Sequence, residues 1–258
     1  MNKIASMTMR GLALTAGVGA AVMATVLVTG QASGDPAAGI TGKDRAAIEQ
    51  IVREYILAHP EIIPEAMNGL EARTVAKTLA AHRSALETPF AGAVAGNPNG
   101  DVRLVVFFDY ACPYCKAAHA DVDRLIASDP KLKVVFRDFP VLGEPSTEAA
   151  MASLSAARQG KYLAFHDGLF AGSGRLSHDR TLAAATAAGL NPAKTAKDLT
   201  APDLKAEVTK NLDLGRELQL TGTPSYVVGD RVLMGMVGYD ALKAAVAQAR
   251  AAKVAAAG

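Results

Sequence analysis

From Thr41 onward the chain alternates between helical and extended periodicity. Thr41 and Asp44 stand at capping-box spacing, and Ile48, Ile51, Val52, Tyr55 and Ile56 recur at the helical period. His59-Pro60 ends that helix, because a residue preceding proline is pushed out of the helical region. A second helix is predicted from Pro64, which a first turn tolerates, through Met67, Leu70, Val75 and Leu79 towards Leu86. The pair precedes the strand signals and reads as an appended module. It either packs on the main domain or, since two short helices have little partner surface of their own, serves as an arm for self-association.

Extended signals follow. Ala93 to Ala95 predicts a short strand, and Asn97-Pro98-Asn99-Gly100-Asp101 is a turn cluster. Val102 to Asp109 is a nearly continuous β-branched and aromatic run, as expected of a strand buried on both faces. A helix over Pro113–Ser128, with Ala118, Val122, Leu125 and Ile126 apolar, and a strand over Lys133–Phe139 complete a βαβ unit. The pattern then turns helical over Ser146–Gln159, Tyr162–Phe170, Asp179–Ala188 and Pro202–Gln219. Strands return at Ser225–Val228 and Arg231–Met236 around a Gly229-Asp230 turn, and Tyr239–Ala252 is a closing helix. This order predicts an α/β domain whose sheet elements are split by a helical insertion over about 146–220.

Composition agrees with a globular chain: 258 residues, half of them hydrophobic and 20% charged. The net charge of +2 is carried by Lys3 and Arg10, and the remainder is balanced. A balanced surface has no long-range field to gather phosphates, which argues against nucleic acid as a partner. Those two cations precede an uncharged apolar run over Gly11–Thr29, followed by the small-residue cleavage signals Gly30-Gln31-Ala32 and Ala32-Ser33-Gly34. Residues 1–32 are therefore expected to be a signal peptide, an uncleaved anchor being the rival reading. A periplasmic or secreted location makes disulfide chemistry available. Residues 33–87 would then be the helical region and 88–258 the main domain.

The chain has two cysteines, Cys112 and Cys115, at the junction of the buried strand and the first turn of the following helix. As a structural staple the pair is weak, since a four-residue loop gives only about 1.9 kcal/mol against about 3 for fifteen residues. Buried inert thiols are a second reading. Half of a zinc site is a third, but neither another cysteine nor a paired His-x₃₋₅-His exists to complete it. Redox chemistry fits the position best: unpaired N–H groups and the positive end of the helix dipole favour a thiolate at Cys112. Pro113 suits the first turn, and Cys115 comes one turn later, within reach of a mixed disulfide formed at Cys112. Thr223-Pro224 opens the later strand, where proline is sterically allowed. Were that bond cis, a free backbone edge beside the disulfide could pair with an extended peptide.

Phe107-Phe108-Asp109-Tyr110-Ala111-Cys112-Pro113-Tyr114-Cys115-Lys116, followed far downstream by Thr223-Pro224, resembles the DsbA family of exported thiol–disulfide oxidoreductases. The resemblance spans roughly 90–252 and implies a thioredoxin-like fold with a helical insertion. The segment Tyr55-Ile56-Leu57-Ala58-His59-Pro60-Glu61 resembles the N-terminal arm of ScsC-type (suppressor of copper sensitivity) proteins, some of which oligomerise through it. Carried over, the resemblance makes Cys112 the attacking cysteine and Cys115 the resolving one. Pro113 and Tyr114 become tuners of the potential, and Thr223 and Pro224 the loop that faces substrate. The dipeptide is Pro-Tyr where strongly oxidising members have Pro-His, and threonine before the proline resembles isomerase-type members. Val106 stands where many relatives carry a buried acid that moves protons, and Asp109 is the nearest candidate replacement.

The function expected is an exported oxidase or isomerase without cofactor or metal. Its partners would be cysteine-containing exported proteins and a membrane redox partner, with self-association through residues 37–85. The alternative is a copper-binding protein using the same thiols, with Met234 or Met236 as soft ligands; core packing is the ordinary expectation for both methionines. His119 and Lys116 are expected on a solvated helix face. His166-Asp167 is not expected to be a dyad, because adjacent helical residues point apart, and Gly172-Ser173-Gly174 reads as a helix-ending turn.

Overall fold

The computed structural model describes residues 41–256. The expected signal peptide lies outside them. Helix α1 (Gly42–Ala58) forms a unit of its own with the residues before Pro60. Its start is set locally: the Thr41 hydroxyl accepts from the Asp44 N–H at 3.4 Å, and the Thr41 N–H donates to the Asp44 carboxylate at 3.0 Å. None of its residues is buried, and Ile48, Ile51, Val52, Tyr55 and Leu57 are exposed.

The second unit begins with α2 (Ile62–Glu87), two residues earlier than the proline signal suggests. Pro64 is its third residue, where the missing N–H would still have lacked a partner. Then come β1 (Val94–Gly96), β2 (Val102–Phe108), α3 (Pro113–Ser128) and β3 (Leu132–Asp138). The helical stretch comprises α4 (Glu144–Arg158), α5 (Tyr162–Ala171), α6 (His178–Ala187), α7 (Pro192–Asp198) and α8 (Pro202–Glu217). Helix α7 was not separately anticipated; Asn191 caps it, its side chain accepting from the Lys194 N–H, and Pro192 opens it. The chain closes with β4 (Ser225–Val228), β5 (Arg231–Met234) and α9 (Tyr239–Ala255).

The sheet order is β1-β3-β2-β4-β5, with β2 and β3 parallel and the other pairs antiparallel. Alternation along β2 divides the core. Leu104, Val106 and Phe108 face one side, with Cys115, Val122 and Leu125 of α3 and Leu242 and Val246 of α9. Val105 and Phe107 face the other, with Leu79 and Leu86 of α2, Leu214 of α8 and Leu218 just after it. The C-terminal half of α2 thus belongs to the core, while Ile63, Met67 and Leu70 of its first half are exposed.

Two expectations about side chains are corrected. Met234 and Met236 are not core residues: β5 is an edge strand ending at Met234, where Gly235 turns to φ +80°, and the methionines are 48% and 51% exposed. His119 is not on a solvated face either. Its side chain is 16% exposed and stacks on Phe170 at 5.1 Å, because α5 lies across that side of α3.

Candidate active site

Cys112 is the N-cap of α3 and Pro113 its first residue, so the cysteine sits where helical N–H groups have no carbonyl partner. The approach is held from both sides. Asp109, itself buried, accepts from the N–H groups of Ala111 at 2.8 Å, Val141 at 2.9 Å and Leu142 at 3.0 Å. These bonds tie the segment before Cys112 to the one after β3. The Asp109 carboxylate is therefore committed to backbone, which removes it as the replacement for the acid missing at Val106.

Both cysteines carry free thiols and are buried at residue level. Cys112 Sγ donates to the carbonyl of Thr223 at 3.3 Å, and the Thr223–Pro224 peptide is cis. Chain positions 111 residues apart thus meet at the sulfur. Burial pushes the Cys115 thiol up to about 12. The tyrosine between the cysteines points away: Tyr114 is 63% exposed. A cleft of about 350 Å³ opens beside Cys112, and three cations, Lys116, Arg175 and Arg180, line it. Lys116 Nζ is held by the Gly172 carbonyl, at the C-cap of α5, where Gly172 ends the helix as its sequence suggests.

Beneath the cysteines lies a buried polar chain that sequence reasoning missed. Ser153 Oγ donates to Asp138 Oδ2 at 3.2 Å, Tyr110 OH donates to Ser153 Oγ at 3.2 Å, and Tyr110 OH meets His166 Nδ1 at 2.9 Å. Burial raises Asp138 to about 8, raises Tyr110 and lowers His166, so all three are neutral at moderate pH. The signal available was an adjacent Arg137-Asp138 pair at the end of a strand whose centre, Val134-Val135-Phe136, is apolar. His166 is bonded to Tyr110 rather than to its neighbour Asp167, so no dyad forms between the adjacent residues. Ligand-type atoms of His119, His166 and Asp167 lie within 4.8 Å of one another, but His119 Nε2 already faces the carboxylates of Asp123 and Asp167 at 3.4 Å each.

Asp138 carries a pH prediction. An acid that folds from its ordinary value near 3.9 to about 8 holds a proton in the native state that the unfolded chain has released. Its contribution is intact below about pH 4 and is lost as pH rises towards 8. Asp138→Asn should therefore gain stability relative to the wild type between pH 5 and pH 8, read as the difference in urea midpoints. Parallel pH curves for the two proteins would contradict the assignment.

Residues 103–247, more than half of the chain, match the DSBA-like thioredoxin domain, and residues 44–77 match the copper resistance protein ScsC N-terminal domain. A thioredoxin-like oxidoreductase from Silicibacter pomeroyi is 42% identical, with a TM-score of 0.63 over 65% of this chain and 97% of that one. A linker-deletion variant of Proteus mirabilis ScsC is 29% identical, with a TM-score of 0.66 over 84% and 99%. Disulfide bond formation protein D of Bacillus subtilis is 25% identical over 58% of this chain and 73% of that protein. The chain also matches a Salinispora arenicola Na(+)/H(+) antiporter at 29% identity, spanning 60% of itself and 24% of the antiporter. On a domain match of this length and a structural relative matched almost end to end, the chain belongs to the DsbA-like thioredoxin family, with an ScsC-like N-terminal segment.

Proposed function

We propose that this chain is an exported thiol–disulfide oxidoreductase acting on cysteines of secreted proteins. Cys112 attacks, Cys115 resolves, Pro113 and Tyr114 tune the couple, and Thr223 and Pro224 meet the substrate. The observation that carries the reading is Cys112 at a helix N-terminus, with Sγ 3.3 Å from the Thr223 carbonyl and Cys115 one turn behind it. In the reducing direction the Cys112 thiolate attacks a substrate disulfide and one substrate sulfur leaves as thiolate. Cys115 then attacks Cys112 Sγ, the second substrate sulfur leaves, and the enzyme dithiol has become a disulfide. The reverse sequence oxidises substrate thiols, and a membrane redox partner would reset the couple. Export accords with the basic, apolar and small-residue pattern of residues 1–32. No helix among the described residues is long and apolar enough to cross a membrane.

An isomerase-type potential is favoured. The tuning residue Tyr114 is uncharged and exposed, so it offers a thiolate at Cys112 no ionic partner. Equilibration against glutathione buffers should give a two-electron couple near −180 to −200 mV. A value near −120 mV would mark a strong oxidant instead, and no reversible couple at all would overturn the exchange reading. Copper sequestration is less favoured, since neither Met234 nor Met236 lines the cavities beside the two cysteines.

Self-association through residues 37–85 is the other part of this reading. Two observations support it: a row of exposed apolar residues on α1 (Ile48, Ile51, Val52, Tyr55) and another on the first half of α2 (Ile63, Met67, Leu70). Because Leu79 and Leu86 are core residues, the deletion to test is 41–58 rather than the whole segment. Light scattering should give an oligomer for the full chain and a lower mass without α1. The same mass for both would refute the arm.

A further inference from the structure

Cys115 poses a proton problem. It must lose a proton to attack Cys112 Sγ and regain one when it leaves, yet it is buried and its surroundings hold it protonated. Only 4% of the residue is exposed, and the Asp109 carboxylate is taken up by three amides. On the inner side of Cys115 lies a small cavity of about 20 Å³, lined by Cys115, His119, His166, Phe170, Pro224 and Tyr226. That volume admits one water, for which Cys115, His119, His166 and Tyr226 are the polar residues in an otherwise apolar lining.

Cys115 and His119 stand at i and i+4 on α3, the spacing that puts two side chains on one face. His119 also reaches the surface: its Nε2 is 3.4 Å from Asp123 Oδ2 and 3.4 Å from Asp167 Oδ1, both on exposed side chains. His166 is unsuited to the task, being wholly buried and bonded to Tyr110. The titratable groups around the His119 ring are Cys115 and Asp123 on its own helix, His166 and Asp167 on α5, and Tyr226 on β4 across the cavity. Imidazole is the side chain that ordinarily exchanges protons between pH 5 and 8.

We propose that His119 is the proton relay for Cys115, working through one water in the cavity they share and exchanging its proton with solvent beside Asp123 and Asp167. This deepens the exchange chemistry proposed above and rests on it. During resolution the Cys115 proton passes through the water to His119. The Cys115 sulfur bonds to Cys112 Sγ, the bond from Cys112 to the substrate sulfur breaks, and the substrate leaves as thiolate. In the oxidising direction the same path returns the proton to Cys115 as it is expelled.

The test is a single-turnover reaction of the reduced full chain with a synthetic disulfide peptide, acid-quenched and followed by mass spectrometry. It resolves the appearance of the Cys112 mixed disulfide from its decay. His119→Phe keeps a ring against Phe170, and His119→Gln keeps a polar group, but neither accepts a proton. Both should leave mixed-disulfide formation unchanged and slow its decay by about 10²-fold at pH 7.5, the low end for positioned acid–base catalysis. Decay at the wild-type rate in both variants, or a defect in His119→Phe alone, would overturn the relay while leaving the exchange reading intact. If the wild type forms no mixed disulfide, the exchange reading itself fails.

Discussion

Cys112→Ala is expected to abolish thiol–disulfide exchange, with a loss of more than about 10³-fold in the rate of attack on a disulfide peptide. The size follows from what remains. Cys115 is the other thiol in the chain, and it is buried with its proton held up to about 12. Burial keeps such a thiol protonated at pH 7, where an ordinary cysteine is a few per cent thiolate, so it cannot stand in as nucleophile. The fold should survive. Cys112 makes no side-chain capping bond to the helix, and the substitution removes the hydrogen bond from its sulfur to the Thr223 carbonyl. Circular dichroism and a thermal melt check the fold, and insulin reduction or peptide exchange checks the activity. Undiminished exchange in the alanine variant would end the proposed mechanism.

The second large effect is on stability. Arg137→Leu should cost about 3–5 kcal/mol, a large share of the 5–15 kcal/mol that holds a typical domain. Arg137 lies in β3 with no exposed surface, and its guanidinium ties three segments together. It donates to the carbonyls of Ala85, Leu86 and Thr88 at the end of α2, where a helix has no N–H groups left to satisfy them. It also donates to Glu207 at 2.8 Å and Asn211 at 3.2 Å, both on α8. A leucine there removes the donors of three carbonyls and leaves the largely buried Glu207 carboxylate with Lys210 alone, at 3.1 Å; that desolvation, rather than the lost attraction, is the main cost. Arg137→Lys should recover only part, since one ammonium cannot reproduce a planar fork reaching five acceptors. Urea unfolding measures both variants; a change under about 1 kcal/mol for leucine would show that the clamp is not what joins α2 and α8 to the sheet.

These two residues differ in how far they could be read from the chain. The place of Cys112 is a local matter: a buried β-branched run, then proline at a helix start, then cysteine again one turn on. The same kind of signal located α3 at Pro113–Ser128, β4 at Ser225–Val228, the Gly229 turn and the Thr41 capping box, because each depends on residues within about one turn of one another. Arg137 had no such signal. In the sequence it is one charge in KVVFRDF, and its acceptors at Ala85 and Leu86 lie about fifty residues earlier.

Periodicity and turn chemistry, acting through neighbours, were sufficient to predict an α/β domain with a helical insertion, the order of its elements and the pair of cysteines at a strand–helix junction. Tertiary structure alone decided which polar groups are enclosed. It sent Met234 and Met236 outward because β5 is an edge strand, and drew His119 inward because α5 covers that face of α3. It also joined Asp138, Ser153, Tyr110 and His166 into one buried chain. The cost of burying a polar or charged group is set by partners distant in sequence, and those partners exist only once the sheet and helices have packed.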